Sequence, residues 1–261
     1  MTYFGVLLRF IGPPLVVLTA LTLWDRRRGR RVPAGYDTWP PWAVLWGHVA
    51  IALIWTTPWD NYLVATRVWW YEPALVTGLR LGWVPIEEYT FFVVQILTAG
   101  LWLLAWMRRL PASRAPFVPR KRLRWAASAG VALLWAVWLA LLLASWTRPD
   151  SRPARYMALI LVWFVPPVLL QLAFGADILW HHRRLVLVAL LPPFLYLCLV
   201  DGLAIASGTW TINPLNTLGL DLGGVLPLEE IAIFFMTSVV IALGIVLMLA
   251  RESHERAGLR N

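Results

Sequence analysis

Seven stretches of this chain are apolar over a length close to the roughly 20 residues that a helix needs to cross a bilayer. They lie at about 3–24, 42–58, 86–107, 125–146, 156–178, 185–206 and 228–250. The second is the shortest, with Asn61–Ala65 as a candidate continuation. Composition agrees: 60% of residues are hydrophobic and only 14% charged, with a mean hydropathy of +0.67, which no soluble domain matches. The expected fold class is therefore an all-α integral membrane protein with seven transmembrane helices, multi-pass in the cell membrane.

The formal charge of +9 is explained by topology, without nucleic acid, because Arg in such a chain gathers on cytoplasmic loops. The loops after spans one, three and five carry five, seven and two Lys or Arg, and the tail after span seven carries three. The loops after spans two, four and six carry two, three and none. That bias predicts an N-terminus outside and a cytoplasmic C-terminus. Arg108 to Arg124 forms a basic linker suited to anionic lipid. The first apolar run is followed by Arg26, Arg27 and Arg28 and shows no small-residue cleavage site, so it reads as a span and not a cleaved signal.

The single cysteine, Cys198, excludes a disulfide or a thiol metal cluster within one chain. His48, His181, His182 and His254 show no metal-ligand spacing with carboxylates along the sequence, so no metal is expected.

An internal repeat organises the rest. Laying Asp60 on Asp201 places Trp69 on Trp210, Pro73 on Pro214, Gly78-Leu79 on Gly219-Leu220 and Leu81-Gly82 on Leu222-Gly223. One inserted residue later, Pro85 meets Pro227 and Glu87 meets Glu229, with Phe91-Phe92 close to Phe234-Phe235. Gly12-Pro13-Pro14-Leu15 in span one resembles Val165-Pro166-Pro167-Val168 in span five. Three spans, one linking span and three spans result, and an odd linker makes this 3+1+3 arrangement a parallel repeat. The expected divisions are 1–110 for the first three-helix unit, 111–153 for the basic linker and linking helix, and 154–261 for the second unit.

Ionisable groups at membrane depth are costly and point to function. Glu87 and Glu88 open span three, and Glu229 and Glu230 open span seven. One carboxylate suffices to favour a helix N-terminus, by about 0.3–1 kcal/mol at exposed sites, whereas two adjacent ones repel. A doubled pair met twice therefore suits acid–base chemistry, in which one carboxyl donates a proton and another removes one. Asp60 and Asp201 are further candidate carboxylates, one in each half. Glu72 aligns with Asn213, so charge is not kept there, and Asn213 counts only as polar support.

Aromatic residues crowd the same segments. Among 18 Trp, most suit an interfacial belt, but the repeat keeps Trp69 and Trp210. With Phe91, Phe92, Phe234 and Phe235 they are candidates to face a carbocation, which aromatic rings stabilise by about 2 kcal/mol or more when desolvated.

Pro-x-Glu-Glu followed by Phe-Phe, present twice, with an upstream Asp and a Trp nine residues after it, resembles the lycopene cyclases of the heterodimer-derived type. In that family two three-span subunits are separate proteins or fused. The resemblance implies a redox-neutral cyclisation of the linear ψ-ends of lycopene to ionone rings, giving β-carotene via γ-carotene, with Glu87, Glu88, Glu229 and Glu230 as the essential acids and Asp60 and Asp201 as supporting polar positions. It implies no cofactor. No G-x-G-x-x-G is present for a dinucleotide, and a redox-neutral reaction needs no electron carrier. The implied partners are a bilayer-dissolved carotenoid and the lipid itself. A C50 or ε-type carotenoid cyclase is an alternative within the class. Outside it, the 3+1+3 plan is shared with SWEET-like membrane transporters, although the intramembrane polar inventory, Gln95, Thr98 and Gln171, is thin for a sugar path. A retinal Schiff base is excluded because the only lysine, Lys121, lies in the basic linker.

Overall fold

The computed structural model describes residues 1–111 and 115–259; Ala112, Ser113 and Arg114 of the basic linker and Arg260 of the basic tail lie outside the described residues. Seven long helices carry the architecture, as expected where backbone polar groups must be satisfied within each segment. They are α1 (Tyr3–Arg27), α2 (Pro41–Ala65), α3 (Ile86–Met107), α4 (Lys121–Thr147), α5 (Arg155–His181), α6 (Arg183–Ala206) and α7 (Leu228–Leu249), followed by the short α8 (Arg251–Arg256).

Six of these, all but α2, are long and apolar enough to cross a membrane. Seven long helices are present, and six of them meet that criterion by length and composition. At 25 residues α2 has the length, and it does run through Asn61–Ala65, but His48, Thr56, Thr57, Asp60 and Asn61 dilute its apolar run.

Proline shapes several of these helices. In α1 the chain widens into a π-helical turn at Leu7–Ile11 before Gly12-Pro13-Pro14. Proline lacks an N–H and its ring crowds the carbonyl one turn back, so the helix makes room by taking in an extra residue. Pro85 and Pro227 stand just outside α3 and α7, at the N-cap in extended conformation, not within the first turn. The carboxylates that follow them occupy that turn, where the helix dipole favours negative charge.

The loops after α2 and α6 contain the same elements in the same order. After α2 come β1 (Trp69–Tyr71), a 3-10 turn at Pro73–Leu75, β2 (Arg80–Leu81) and β3 (Val84–Pro85). After α6 come β4 (Trp210–Ile212), a 3-10 turn at Pro214–Asn216, β5 (Asp221–Leu222) and β6 (Leu226–Pro227). Each loop folds a small antiparallel hairpin, β2 on β3 and β5 on β6. The residue inserted in the second hairpin is accommodated at Gly223-Gly224, both at positive φ. In the first hairpin Gly82 alone turns the chain, at φ 69°, and a Cβ there would strike the Asn61 side chain, which accepts the Trp83 N–H.

The two loops are joined by β1 and β4, antiparallel, with Trp70 opposite Thr211 and Trp69 opposite Ile212. Below them α3 packs on α1 and α2, and α7 packs on α5 and α6. α3 and α7 also meet each other, and each touches the other group through α6 and α2 respectively. α4 lies along α5, anchored by the Trp135 indole donating to the Val162 carbonyl at 3.0 Å.

At the opposite end of the bundle from the glutamates, two buried aspartates gather arginines. Asp25 receives Arg109 through two bonds of 2.8 and 2.9 Å, with Arg108 at 3.4 Å. Asp177 receives Arg256 through two bonds of 2.8 Å and the backbone N–H of Arg120 at 2.9 Å. The same end brings His181 and His182 beside Glu252, a grouping that spacing along the chain did not suggest.

Candidate functional site: four carboxyl groups in one apolar cavity

Between α1, α2, α3, α5, α6 and α7 lies a cavity of about 380 Å³, within the size range of ligand pockets. Its wall is mostly apolar, and Asp60, Glu88, Asp201 and Glu230 all line it. Trp69 and Tyr71 of the loop after α2, and Trp210 and Ile212 of the loop after α6, line it as well. Among the described residues no Arg or Lys forms an ion pair with any of the four.

The carboxyl groups are held by phenols and an indole. Glu88 accepts from the Tyr3 hydroxyl at 2.5 Å and from the Tyr71 hydroxyl at 2.9 Å. Glu230 accepts from the Tyr156 hydroxyl at 2.6 Å. Asp201 accepts from the Trp210 indole at 3.0 Å, while its second oxygen and both oxygens of Asp60 are buried with no hydrogen-bond partner. Buried polar atoms are almost always paired, and these three belong to residues that line the cavity. Burial, and then the carboxyl groups of Asp60 and Glu88, push the Tyr71 phenol well above its usual range, so it remains a donor.

Trp69 and Trp210 each stand against a tyrosine of the other half of the chain. Trp69 meets Tyr156 edge-on at 5.6 Å, and Trp210 meets Tyr3 at 4.9 Å. Phe91, Phe92 and Phe234 also line the cavity, with Phe91 edge-on to Phe234 at 6.3 Å. The aromatic faces thus surround the space into which the carboxyl groups point. On one side the lining includes Ile51 and Trp55 of α2 and Leu170 of α5, all exposed, so the cavity reaches the outer surface of the bundle between α2 and α5. Within that gap, the indole rings of Trp55 and Trp163 lie 4.9 Å apart.

Four of the residues singled out by sequence stand elsewhere. Glu87 turns back to accept the Thr77 backbone N–H at 2.6 Å, and Glu229 does the same for Leu218 at 2.7 Å. The doubled acids therefore divide their work: the first of each pair ties a loop, and the second faces the cavity. Asn213 donates to the Arg67 carbonyl and accepts the Leu215 N–H, holding a turn outside the cavity. Phe235 is exposed and packs edge-on to Phe194 at 5.5 Å.

The tyrosines were missed. Yet the alignment that lays Gly12 on Val165 also lays Tyr3 on Tyr156, and that coincidence was the available signal.

The family model described as lycopene cyclase matches residues 38–106 and 154–249. The chain is 39% identical over 248 residues to a lycopene beta-cyclase of Halobacterium salinarum, covering 94% of this chain and 95% of that protein. It is 33% identical over 201 residues to a bifunctional lycopene cyclase/phytoene synthase of Colletotrichum graminicola, 76% of this chain but 34% of that longer protein. A similar relation holds for the bifunctional protein of Gibberella fujikuroi, at 30% identity over 202 residues. No solved structure matches the chain significantly.

Proposed function

Because this chain belongs to the lycopene cyclase family, we propose that it closes the acyclic ends of lycopene into β-rings by proton transfer alone, with Glu88, Glu230, Asp60 and Asp201 as the proton-carrying groups. The observation that carries this reading is the convergence of those four carboxyl groups on one apolar cavity that reaches the flank of the bundle. The name of the Halobacterium relative supports the β-ring outcome.

In this mechanism a carboxyl group adds a proton to the terminal alkene. The neighbouring double bond attacks the resulting cation, a ring carbon–carbon bond forms, and the positive charge moves to a ring carbon. A carboxylate then removes one ring proton and leaves a ring double bond. One proton enters and one leaves, so the substrate and product are isomers and no redox partner is required.

Carboxyl groups packed together without a cation share protons among themselves, so a donor and an acceptor coexist in one site. Trp69, Trp210, Phe91, Phe92 and Phe234 line the path of the cation and exclude water that would quench it. Glu87 and Glu229 position the covering loops. A polyene dissolved in the bilayer reaches the site between α2 and α5.

The same reading places the chain as two parallel three-helix units, 1–110 and 154–261, joined through α4, in the cell membrane with its N-terminus outside. The paired loops and the antiparallel β1–β4 contact support the two-unit plan, and the Lys and Arg bias of the loops supports the orientation. Expression in a lycopene-accumulating bacterium tests the function: red lycopene is converted to yellow cyclised carotene, identified by chromatography. Unchanged pigment with the protein verifiably in the membrane overturns it.

A further inference from the structure

At the end of the bundle away from the carboxyl cavity, α5 stops at His181 and α6 starts at Arg183. Neighbouring residues on an unbroken helix project about 100° apart, as 3.6 residues make a turn. Here the helix breaks at His182, with φ −95° and ψ 18°, and both imidazoles turn toward Glu252 at the start of α8. One nitrogen from each ring and one Glu252 oxygen lie within 4.8 Å of one another.

His182 Nε2 is 3.2 Å from Oε2 of Glu252, and His181 Nε2 is 4.0 Å from Oε1. Metal–nitrogen and metal–oxygen bonds of about 2.0–2.2 Å in a tetrahedral zinc site put neighbouring ligand atoms roughly 3.3 Å apart. The first distance already matches such an edge, and a small rotation of His181 supplies the second. The remaining nitrogen of His182, Nδ1, is 2.7 Å from the Tyr36 hydroxyl. That is the outer contact which fixes the tautomer of a metal-bound histidine, with Nδ1–H donating outward and the Nε2 lone pair free. The Phe117 ring, edge-on to His181 at 5.7 Å, shields one side. The side chains of His181, His182 and Glu252 keep 14%, 7% and 17% of their surface exposed, enough to admit an ion and a fourth, water ligand.

We propose that His181, His182 and Glu252 form a binding site for a divalent first-row transition ion of the zinc type. Imidazole and carboxylate together suit that class, whereas magnesium and calcium favour all-oxygen sites. The ion clamps α8 to the corner between α5 and α6. It lies at the end of the bundle away from the carboxyl cavity, and its role is structural. Where a neutral imidazole carries its proton on Nε2, binding moves that proton to Nδ1, so each ring stays neutral and no net proton is released.

The test uses the full chain purified in detergent without a polyhistidine tag, stripped with chelator and titrated with Zn²⁺ and, separately, Co²⁺. The expected result is one Zn²⁺ retained per chain after gel filtration, and a visible Co²⁺ spectrum that Zn²⁺ abolishes. His182→Ala and Glu252→Gln lose retention, and Tyr36→Phe, which keeps all three ligands, weakens affinity by about 10–100-fold. Should His182→Ala fail to fold, Glu252→Gln keeps the carboxylate's shape and carries the test. Retention below one equivalent by the parent chain, or equal retention by Glu252→Gln, overturns the site.

Discussion

The Tyr156 hydroxyl donates to Oε1 of Glu230 across 2.6 Å, joining the first turns of α5 and α7. Tyr3 makes the equivalent bond to Glu88 between α1 and α3. These two phenols aim the cavity carboxyl groups. In the proposed reaction the other oxygen of each carboxyl carries the proton. The pairing separates groups that exchange protons from groups that only set geometry, and the separation can be measured.

Glu88→Gln and Glu230→Gln each lower the rate of lycopene conversion by about 10²–10⁴-fold, the usual worth of a positioned acid or base. Glu87→Gln and Glu229→Gln keep an oxygen for the Thr77 and Leu218 N–H groups and retain most of the rate. Pigment formation in membranes holding equal protein decides. Equal losses in all four variants would return the first glutamate of each pair to the chemistry.

Tyr3→Phe and Tyr156→Phe remove one hydrogen bond to a carboxyl without changing ring shape. The expected loss is on the order of 10-fold in kcat with KM nearly unchanged, from a bond worth about 1.5 kcal/mol. A rise in KM alone would make these rings substrate contacts instead of positioning groups.

Arg67 holds a left-handed backbone at φ 58°, where the repeat places Gly208 at φ 70°. Its side chain is exposed. Arg67→Gly is expected to stabilise the protein by about 1 kcal/mol, the typical cost of a Cβ in that conformation. Thermal unfolding in detergent, read as a rise in Tm with unaltered conversion, checks it.

Asp25→Asn strips a buried partner from Arg108 and Arg109. Breaking a buried pair costs about 3–5 kcal/mol, and the outcome here lies toward the lower value because Arg109 is partly exposed and hydrated. The Tm falls, while conversion per folded molecule is unchanged because Asp25 lies at the far end of α1.

Much of this was readable before any coordinates. Apolar length located the long helices, and the stretches that the match of Asp60 to Asp201 aligns each fold a small hairpin. The division within each glutamate pair was not readable. Adjacent positions on a helix face different ways, and which way Glu87 turned depended on a backbone N–H ten residues earlier, a contact that side-chain identity does not announce. α2 read shorter than it is, because Asp60 and Asn61 look like a loop to a hydropathy scale while they are buried or bonded in the fold. Asp25, Asp177 and the histidine corner escaped for a similar reason, since their partners arrive from distant parts of the chain.

The exchange of rings across the cavity, Trp69 against Tyr156 and Trp210 against Tyr3, makes each half the other's missing wall. A polypeptide severed near α4 would yield two fragments, neither enclosing a finished chamber. Their reunion along Trp69–Tyr71 and Trp210–Ile212 would have to precede any turnover, so the activity of such a split protein would rise with the square of fragment concentration when both are scarce.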